Sequence, residues 1–145
     1  MVELDEILYN AIKADADLMQ AVGGRVVSTC FEVAPDEQDN TQLPCIIVTD
    51  DGLTNQPTDK DCDWEAEEDR IQASVEVDGR SPREVKALSR LVRRAVAEYV
   101  KALADDGDPV PQLESLQGNG IAWDWMKPCY HTMLTYNCII ECNYE

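Results

Sequence analysis

The stretch Arg70-Ile-Gln-Ala-Ser-Val-Glu-Val-Asp78, followed by Gly79-Arg80-Ser81-Pro82-Arg83-Glu84, decides the fold because it predicts a strand that turns directly into a long helix. Apolar and polar residues alternate through 70–78, which is typical of a half-buried antiparallel strand with one face on a core and the other meeting water or a partner. Ser81 can cap the helix, Pro82 suits its first position, and Glu84 completes a capping box. We therefore expect a helix over residues 83–103.

This helix has an apolar face and a basic face on opposite sides. The apolar side chains are Val85, Leu88, Leu91, Val92, Ala95, Val96, Tyr99 and Leu103. The basic side chains, called the basic stripe below, are Arg83, Lys86, Arg90, Arg93, Arg94 and Lys101. Like charges at this spacing cost an isolated helix roughly 0.2–0.5 kcal/mol per pair, so the stripe predicts acidic groups nearby. A solvated helix face balanced by the chain's own acids is the alternative.

The basic stripe stands out because the chain as a whole is strongly acidic. Residues 80–101 carry seven Lys or Arg against two Glu, a net charge of +5. Because the whole chain has a net charge of −17, the other residues together carry −22. Residues 50–69 hold nine acids and one lysine and predict a long acidic loop or hairpin extension. We expect the stripe to contact this segment, in the same subunit or in a neighbouring one, through acids such as Asp59, Asp61, Asp63, Glu65, Glu67 and Glu68.

The remaining sequence predicts two short helices, four more strands and two connecting loops. Helical spacing runs over residues 4–12 and again from Asp15 to the glycine pair 23–24, where the second helix ends. Strands are expected at 25–31, at 44–49 after a polar loop, at 121–126 and at 130–144, with a connector over 105–120. This order predicts an α+β fold, a mostly antiparallel sheet with helices packed on one face.

Length and composition predict one domain over residues 1–145 that needs no metal or disulfide to fold. There is no apolar run long enough to cross a membrane and no signal sequence, so we expect a cytosolic place of assembly, no membrane partner, and cysteines that serve as reduced core residues. The net charge of −17 disfavours free association with nucleic acid. Tryptophans 123 and 125 are expected in the core or as cross-strand partners of tyrosines.

The sequence predicts no catalytic, cofactor or metal site, and hence a protein that is not an enzyme. His131 has no nucleophile motif around it, and the glycine pairs lack the context of a phosphate loop. Cys129, His131, Cys138 and Cys142 do not follow zinc-ligand spacing. Residues 59–70 begin like a calcium loop but lack its glycine and its final glutamate.

Three segments resemble the tail terminator, or tail completion, proteins of tailed bacteriophages. They are Leu18 to Val26 with its Val-Gly-Gly-Arg-Val ending, the proline-led strand Pro44-Cys-Ile-Ile-Val, and the Ile-Gln-x-x-Val strand that runs into an Arg- and Ala-rich helix, Ile71 to Ala104. The resemblance covers roughly residues 4–104 and is one of pattern. The acidic loop (50–69) and the C-terminal hairpin (121–144) have no counterpart in it.

The resemblance implies a virion protein of the tail or neck, assembled in the host cytoplasm. In that family the subunits form a hexameric ring that caps the tail tube, stops its growth and docks the head-completion proteins. It therefore implies partners of three kinds: further copies of the chain, the tail tube protein and a neck or head-completion protein, with DNA passing through the ring and no sequence-specific nucleic acid binding. A neck or head-completion role, an acidic DNA-mimic module and a nucleic-acid binder using residues 83–101 are the alternatives.

Overall fold

The computed structural model describes residues 4–28, 43–57, 66–107 and 112–143, which form three helices and a mostly antiparallel sheet. The elements in chain order are α1 (Leu4–Ala14), α2 (Ala16–Val22), β1 (Val26–Ser28), β2 (Cys45–Pro57), β3 (Ala66–Gly79), α3 (Pro82–Asp105), β4 (Gln112–Gly118), β5 (Ala122–Asp124) and β6 (Cys129–Asn143). The predicted α+β class is confirmed.

The sheet has the order β1-β2-β3-β6-β4, and β5 pairs with β6 beside that path. Only β1 and β2 run parallel among these described pairs. One edge of β6 pairs with β3, so β4 and β5 share the other edge. They lie end to end there, because β5 pairs with residues 129–131 and β4 with residues 134–139.

The hydrophobic core lies between the helices and one face of the sheet. Alternate residues of the central strands point into it, among them Val48, Val75 and Leu134. The buried part of the apolar face of α3 is Val85, Leu88, Val92, Ala95 and Val96. The periodicities of 2 and 3.6 residues thus correctly predicted which faces of β3 and α3 meet.

The junction between β3 and α3 has the predicted cap. Ser81 has extended dihedrals, and its Oγ accepts a hydrogen bond of 3.2 Å from the Glu84 N–H. Glu84 reaches one residue beyond the usual capping box, where its Oε1 accepts from the Arg80 backbone N–H at 2.9 Å. Gly79 packs so closely that a Cβ there would lie 2.8 Å from Val85 Cγ2. The turn therefore requires glycine for space.

Strand β4 lies where the sequence predicted a connector, and that prediction was wrong for residues 112–118. Leu113 and Leu116 are three residues apart, which hides the alternation of a strand. The pairing with β6 shifts between Leu113 and Ser115, so the two leucines oppose Cys138 and Tyr136, which both belong to the core face. The bulge uses one extra residue and returns both leucines to one side of the sheet.

The acidic segment at residues 50–69 is partly a hairpin extension, one of the two predicted forms. Strands β2 and β3 continue their ladder as far as the pair Pro57 and Glu67. The register shifts between Asp50 and Gly52, where Gly52 has a φ of 109°. Residues 58–65 lie outside the described part of the chain.

The second face of the sheet is less open than the alternation in β3 predicted. Ser74 and Asp78 belong to this face, yet only 2% and 1% of their surfaces are exposed. Ser74 donates a hydrogen bond to the Asp51 carboxylate and lies 3.1 Å from Thr135 Oγ1. Side chains from neighbouring strands and turns therefore cover Ser74 and Asp78, which the alternation in β3 had predicted to face water or a partner.

Candidate assembly interface

The basic stripe lies along the outer surface of α3, and all six of its side chains are exposed. Arg94 contacts the start of α2, with its Nη2 3.2 Å from Asp17 Oδ2 and 3.5 Å from Asp15 Oδ2. Among the described residues the other five stripe side chains have no ion pair. Acids of the described residues therefore neutralise one point of the stripe and leave its other five side chains without an ion pair there.

The expected acidic partners of the stripe fall mainly outside the description. Asp59, Asp61, Asp63 and Glu65 lie outside the described residues. Glu67 and Glu68 lie in β3, where their backbones pair with β2 and β6. Contact between the stripe and this acidic segment stays a prediction. The acids that do meet the stripe, at the start of α2, were not singled out from the sequence.

A cleft of ≈ 480 Å³ lies between α3 and the edge strand β4. Its lining consists of Arg90, Arg93, Arg94, Val96, Ala97, Leu113, Ser115, Leu116 and Tyr136. Leu113 and Leu116 are 36% and 38% exposed, so apolar surface remains open beside the arginines. The cleft thus combines part of the basic stripe with an apolar lining, and it depends on β4, the strand that the sequence pattern missed.

Tyr136 closes the inner side of this cleft. It is only 3% exposed, and its buried hydroxyl has no hydrogen-bond partner in the described part of the chain. Burial raises the pKa of this phenol to about 12, although the nearby Arg93 opposes the shift. The hydroxyl is therefore neutral and has a proton to donate.

The turn between β5 and β6, residues 125–128, carries the most exposed large apolar side chains of the described residues. Trp125 is 86% exposed and Met126 is 95% exposed. Trp123 instead packs edge-on against its cross-strand neighbour Tyr130, with ring centroids 4.9 Å apart. The prediction of a core or cross-strand position is therefore confirmed for Trp123 and wrong for Trp125, because the strand ends at Asp124, one residue before it.

Two sets of contacts fix the β5–β6 turn to the body of the protein. Asp124 Oδ1 accepts hydrogen bonds from the backbone N–H groups of Met126 and Lys127, at 2.9 and 3.4 Å. The Lys127 ammonium lies 2.7 Å from Asp78 Oδ2 and 3.2 Å from Cys45 Sγ. Burial would lower the pKa of Lys127, but the hydrogen bonds to Asp78 and Cys45 prevail and raise it. The lysine is therefore charged, and this ion pair attaches the turn to the second face of the sheet.

Glu76 and His131 extend this polar cluster on β3 and β6. Burial, followed by repulsion from Asp78, raises the pKa of Glu76. His131 Nδ1 is buried and lies 3.7 Å from Glu76 Oε1, too far for a hydrogen bond. Donor atoms of Glu76, Asp78 and His131 lie within 4.8 Å of one another, a spacing that could hold a metal ion. Because Lys127 already supplies a positive charge at Asp78, the cluster fits an internal ion-pair network better than a metal centre.

Cys45, Cys129 and Cys138 are buried thiols rather than halves of disulfides, as the sequence predicted. Burial raises the pKa of Cys129 and of Cys138 to about 11. Cys129 lies near the charged cluster of Asp78 and Lys127, whereas Cys138 belongs to the helix-covered core on the opposite face. The sheet therefore separates two of the cysteines that had been considered together as zinc ligands.

Comparison with known proteins shows a likeness in fold and none in sequence family. No protein-family model and no curated protein matches the sequence. The structure is similar to a chain from the virion of a native gene transfer agent (GTA) particle, at 16% sequence identity and a TM-score of 0.52. The match covers 97% of this chain and 96% of that one. The two share a fold over almost their whole lengths. No helix in the described residues is both long and apolar enough to cross a membrane.

Proposed function

We propose that this chain is a structural protein of a phage-like virion, and that it acts without catalysis. The observation that carries the proposal is the full-length fold likeness to a chain of a gene transfer agent virion. The surface agrees with this role, since exposed arginines, exposed leucines and an exposed tryptophan are features of a protein that binds other proteins.

Within the virion, we place the chain at the end of the tail. Copies would form a hexameric ring that caps the tail tube, stops its growth and joins it to the head-completion proteins. This finer role rests on the sequence resemblance to tail terminators. A neck or head-completion protein is the alternative and would occupy the adjacent layer of the same assembly.

The charge distribution suits a ring through which DNA passes. A chain at −17 repels DNA at long range, so a genome could slide through the ring without adhering to it. The stripe on α3 offers the opposite charge for a neighbouring subunit, in a contact between unlike surfaces of the kind that closes into rings.

Antibody labelling of particles tests the proposed location. Particles released by the cell that encodes this chain would be purified, labelled with an antibody against it and viewed by electron microscopy. We expect label where the head meets the tail. Absence of the chain from purified particles would contradict the proposal, and label on the head-proximal side alone would favour the neck protein.

Reversing charge on the stripe tests its part in assembly. We expect R90E/R93E to reduce the assembled fraction in light scattering, because both side chains are exposed and have no ion pair among the described residues. Lys13→Glu is the matched control, because it reverses an exposed charge on α1, outside the stripe. Equal assembly of the charge-reversed and control proteins would remove the stripe from the interface.

A further inference from the structure

The β5–β6 turn and the α3–β4 cleft are separate surfaces with complementary properties. The turn presents two apolar side chains, Trp125 and Met126, almost entirely to solvent. The cleft presents open apolar surface from Leu113 and Leu116. Aromatic residues and methionine are enriched at protein interfaces, and a tryptophan that enters a pocket is a common centre of binding energy.

Hydrogen bonds and an ion pair fix the conformation of the turn. Asp124 fixes its backbone through two hydrogen bonds, and Lys127 attaches it to Asp78 at 2.7 Å. Since little conformational freedom would be lost on docking, the exposed side chains act as a preorganised projection.

Within the described residues, part of the cleft's polar surface is unpaired and its apolar surface is open. The Tyr136 hydroxyl is buried and unpaired, and Arg90 and Arg93 have no ion pair among the described residues. An exposed arginine can bind a carboxylate of a partner through charge-assisted hydrogen bonds. Arginine also binds the face of an indole ring favourably. The cleft therefore fits an occupant with an apolar aromatic body and an adjacent carboxylate or carbonyl oxygen.

We propose that the β5–β6 turn of a second copy of this chain fills the cleft. Trp125 and Met126 would lie against the two leucines, and Asp124 would face the arginines. Its Oδ1 shapes the turn, and the carboxylate's other oxygen takes no part in that turn. A volume of ≈ 480 Å³ accommodates an indole and a second apolar side chain.

The contact is between subunits because the turn cannot reach its own cleft. The turn adjoins Cys129 at the start of β6, whereas Leu116 and Leu113 pair with Tyr136 and Cys138, at least seven residues further along that strand and thus roughly 20 Å away. When one surface of a chain binds a different surface of the next copy, the copies join head to tail. Such a contact closes into a ring if the rotation between neighbouring copies divides a full turn. This inference rests on the proposed ring and names the contact that builds it.

A mixing experiment tests the pairing. W125A/M126A removes the projection, and R93E/L116E blocks the cleft. We expect each variant alone to associate at least about 30-fold more weakly than the wild type by light scattering. An equimolar mixture should form dimers that stop there, because it supplies one intact projection and one intact cleft. Ile121→Ala is the control, since it shortens an exposed apolar side chain outside the turn and should assemble as the wild type does.

A cross-linking measurement avoids dependence on the folding of those variants. A photoreactive benzoylphenylalanine in place of Met126, which is 95% exposed, should link to residues 90–97 or 113–116 of another copy. Links only to other segments, or none at any protein concentration, would overturn the proposed pairing. So would wild-type assembly by folded W125A/M126A. The virion role is judged separately by antibody labelling of particles, so either idea can fail alone.

Discussion

The Lys127 ammonium lies 2.7 Å from Asp78 Oδ2 and is the described ion-pair partner of a carboxylate that is almost completely buried. A buried charge that loses its partner is strongly destabilising, whereas replacing both partners by apolar residues is often tolerated. The position of the β5–β6 turn and the stability of the second sheet face are thus linked through this contact.

Lys127→Met should lower the free energy of unfolding by about 3 kcal/mol, because it leaves the Asp78 carboxylate buried without a counter-charge. The double variant D78L/K127M should recover much of that loss. Arg80→Met, which removes the exposed pair with Glu84, is the control and should change stability little. Urea unfolding measures all three. Equal losses in the single and double variants would mean that packing, rather than charge, dominates at this site.

Glu76 makes stability depend on pH in a specific direction. Its pKa is raised in the folded state, so the folded protein holds this proton more tightly than the unfolded chain. The contribution of Glu76 to stability is present at low pH and is lost as the pH rises through the folded-state pKa. Glu76→Gln should therefore gain stability relative to the wild type as the pH rises from about 4 to 7.

Thermal or urea unfolding at several pH values measures this difference. Glu98→Gln, on the exposed surface of α3, serves as the matched control. If E76Q and the wild type had parallel pH profiles, Glu76 would not be the group that titrates.

The buried thiols should resist alkylation in the folded protein. Cys129 and Cys138 have pKa values of about 11, so near pH 8 their thiolate fraction is roughly 100-fold below that of a thiol of pKa 9. Burial also blocks the reagent. Peptide mapping after iodoacetamide treatment should find both cysteines unmodified in the folded protein and modified in denaturant. Rapid labelling of Cys138 in the native state would show that the core opens.

Gly79→Ala should destabilise the protein by about 1–3 kcal/mol, because the added methyl group would lie 2.8 Å from Val85 Cγ2. Combining it with Val85→Ala should relieve the clash, so that the two substitutions together cost less than the sum of their separate effects. Gly120→Ala is the control, as a Cβ there has no neighbour within 4 Å. Calorimetric melting temperatures would reveal whether the coupling exists.

The spacing of apolar residues predicted the parts of the fold whose buried side chains recur at regular intervals along one helix or strand. The faces of β3 and α3, and the cap at Ser81, follow from local chemistry and were correct. The strand β4 was missed because its bulge spaces Leu113 and Leu116 by three residues, and only pairing with a distant strand makes that spacing meaningful.

The candidate interface was only half predictable for the same reason. The stripe is a property of one helix and could be seen in the sequence. The cleft needs β4 beside α3, and the Asp78–Lys127 pair joins residues 49 positions apart. Trp125 looked like a core residue because its strand was expected to continue, whereas the Asp124 side chain ends that strand in a turn.

Strand β6 pairs with β3 along fourteen consecutive residues, from Tyr130 to Asn143. The β5–β6 turn and α3 both join this ladder at the same end, where Tyr130 pairs with Gly79. Tension that enters at the turn and leaves through α3 would therefore load the pairs at that end first and open the ladder like a zipper. The ion pair between Lys127 and Asp78 joins the two strands at this end, so it resists the first step of that opening along the line between the two proposed contact surfaces.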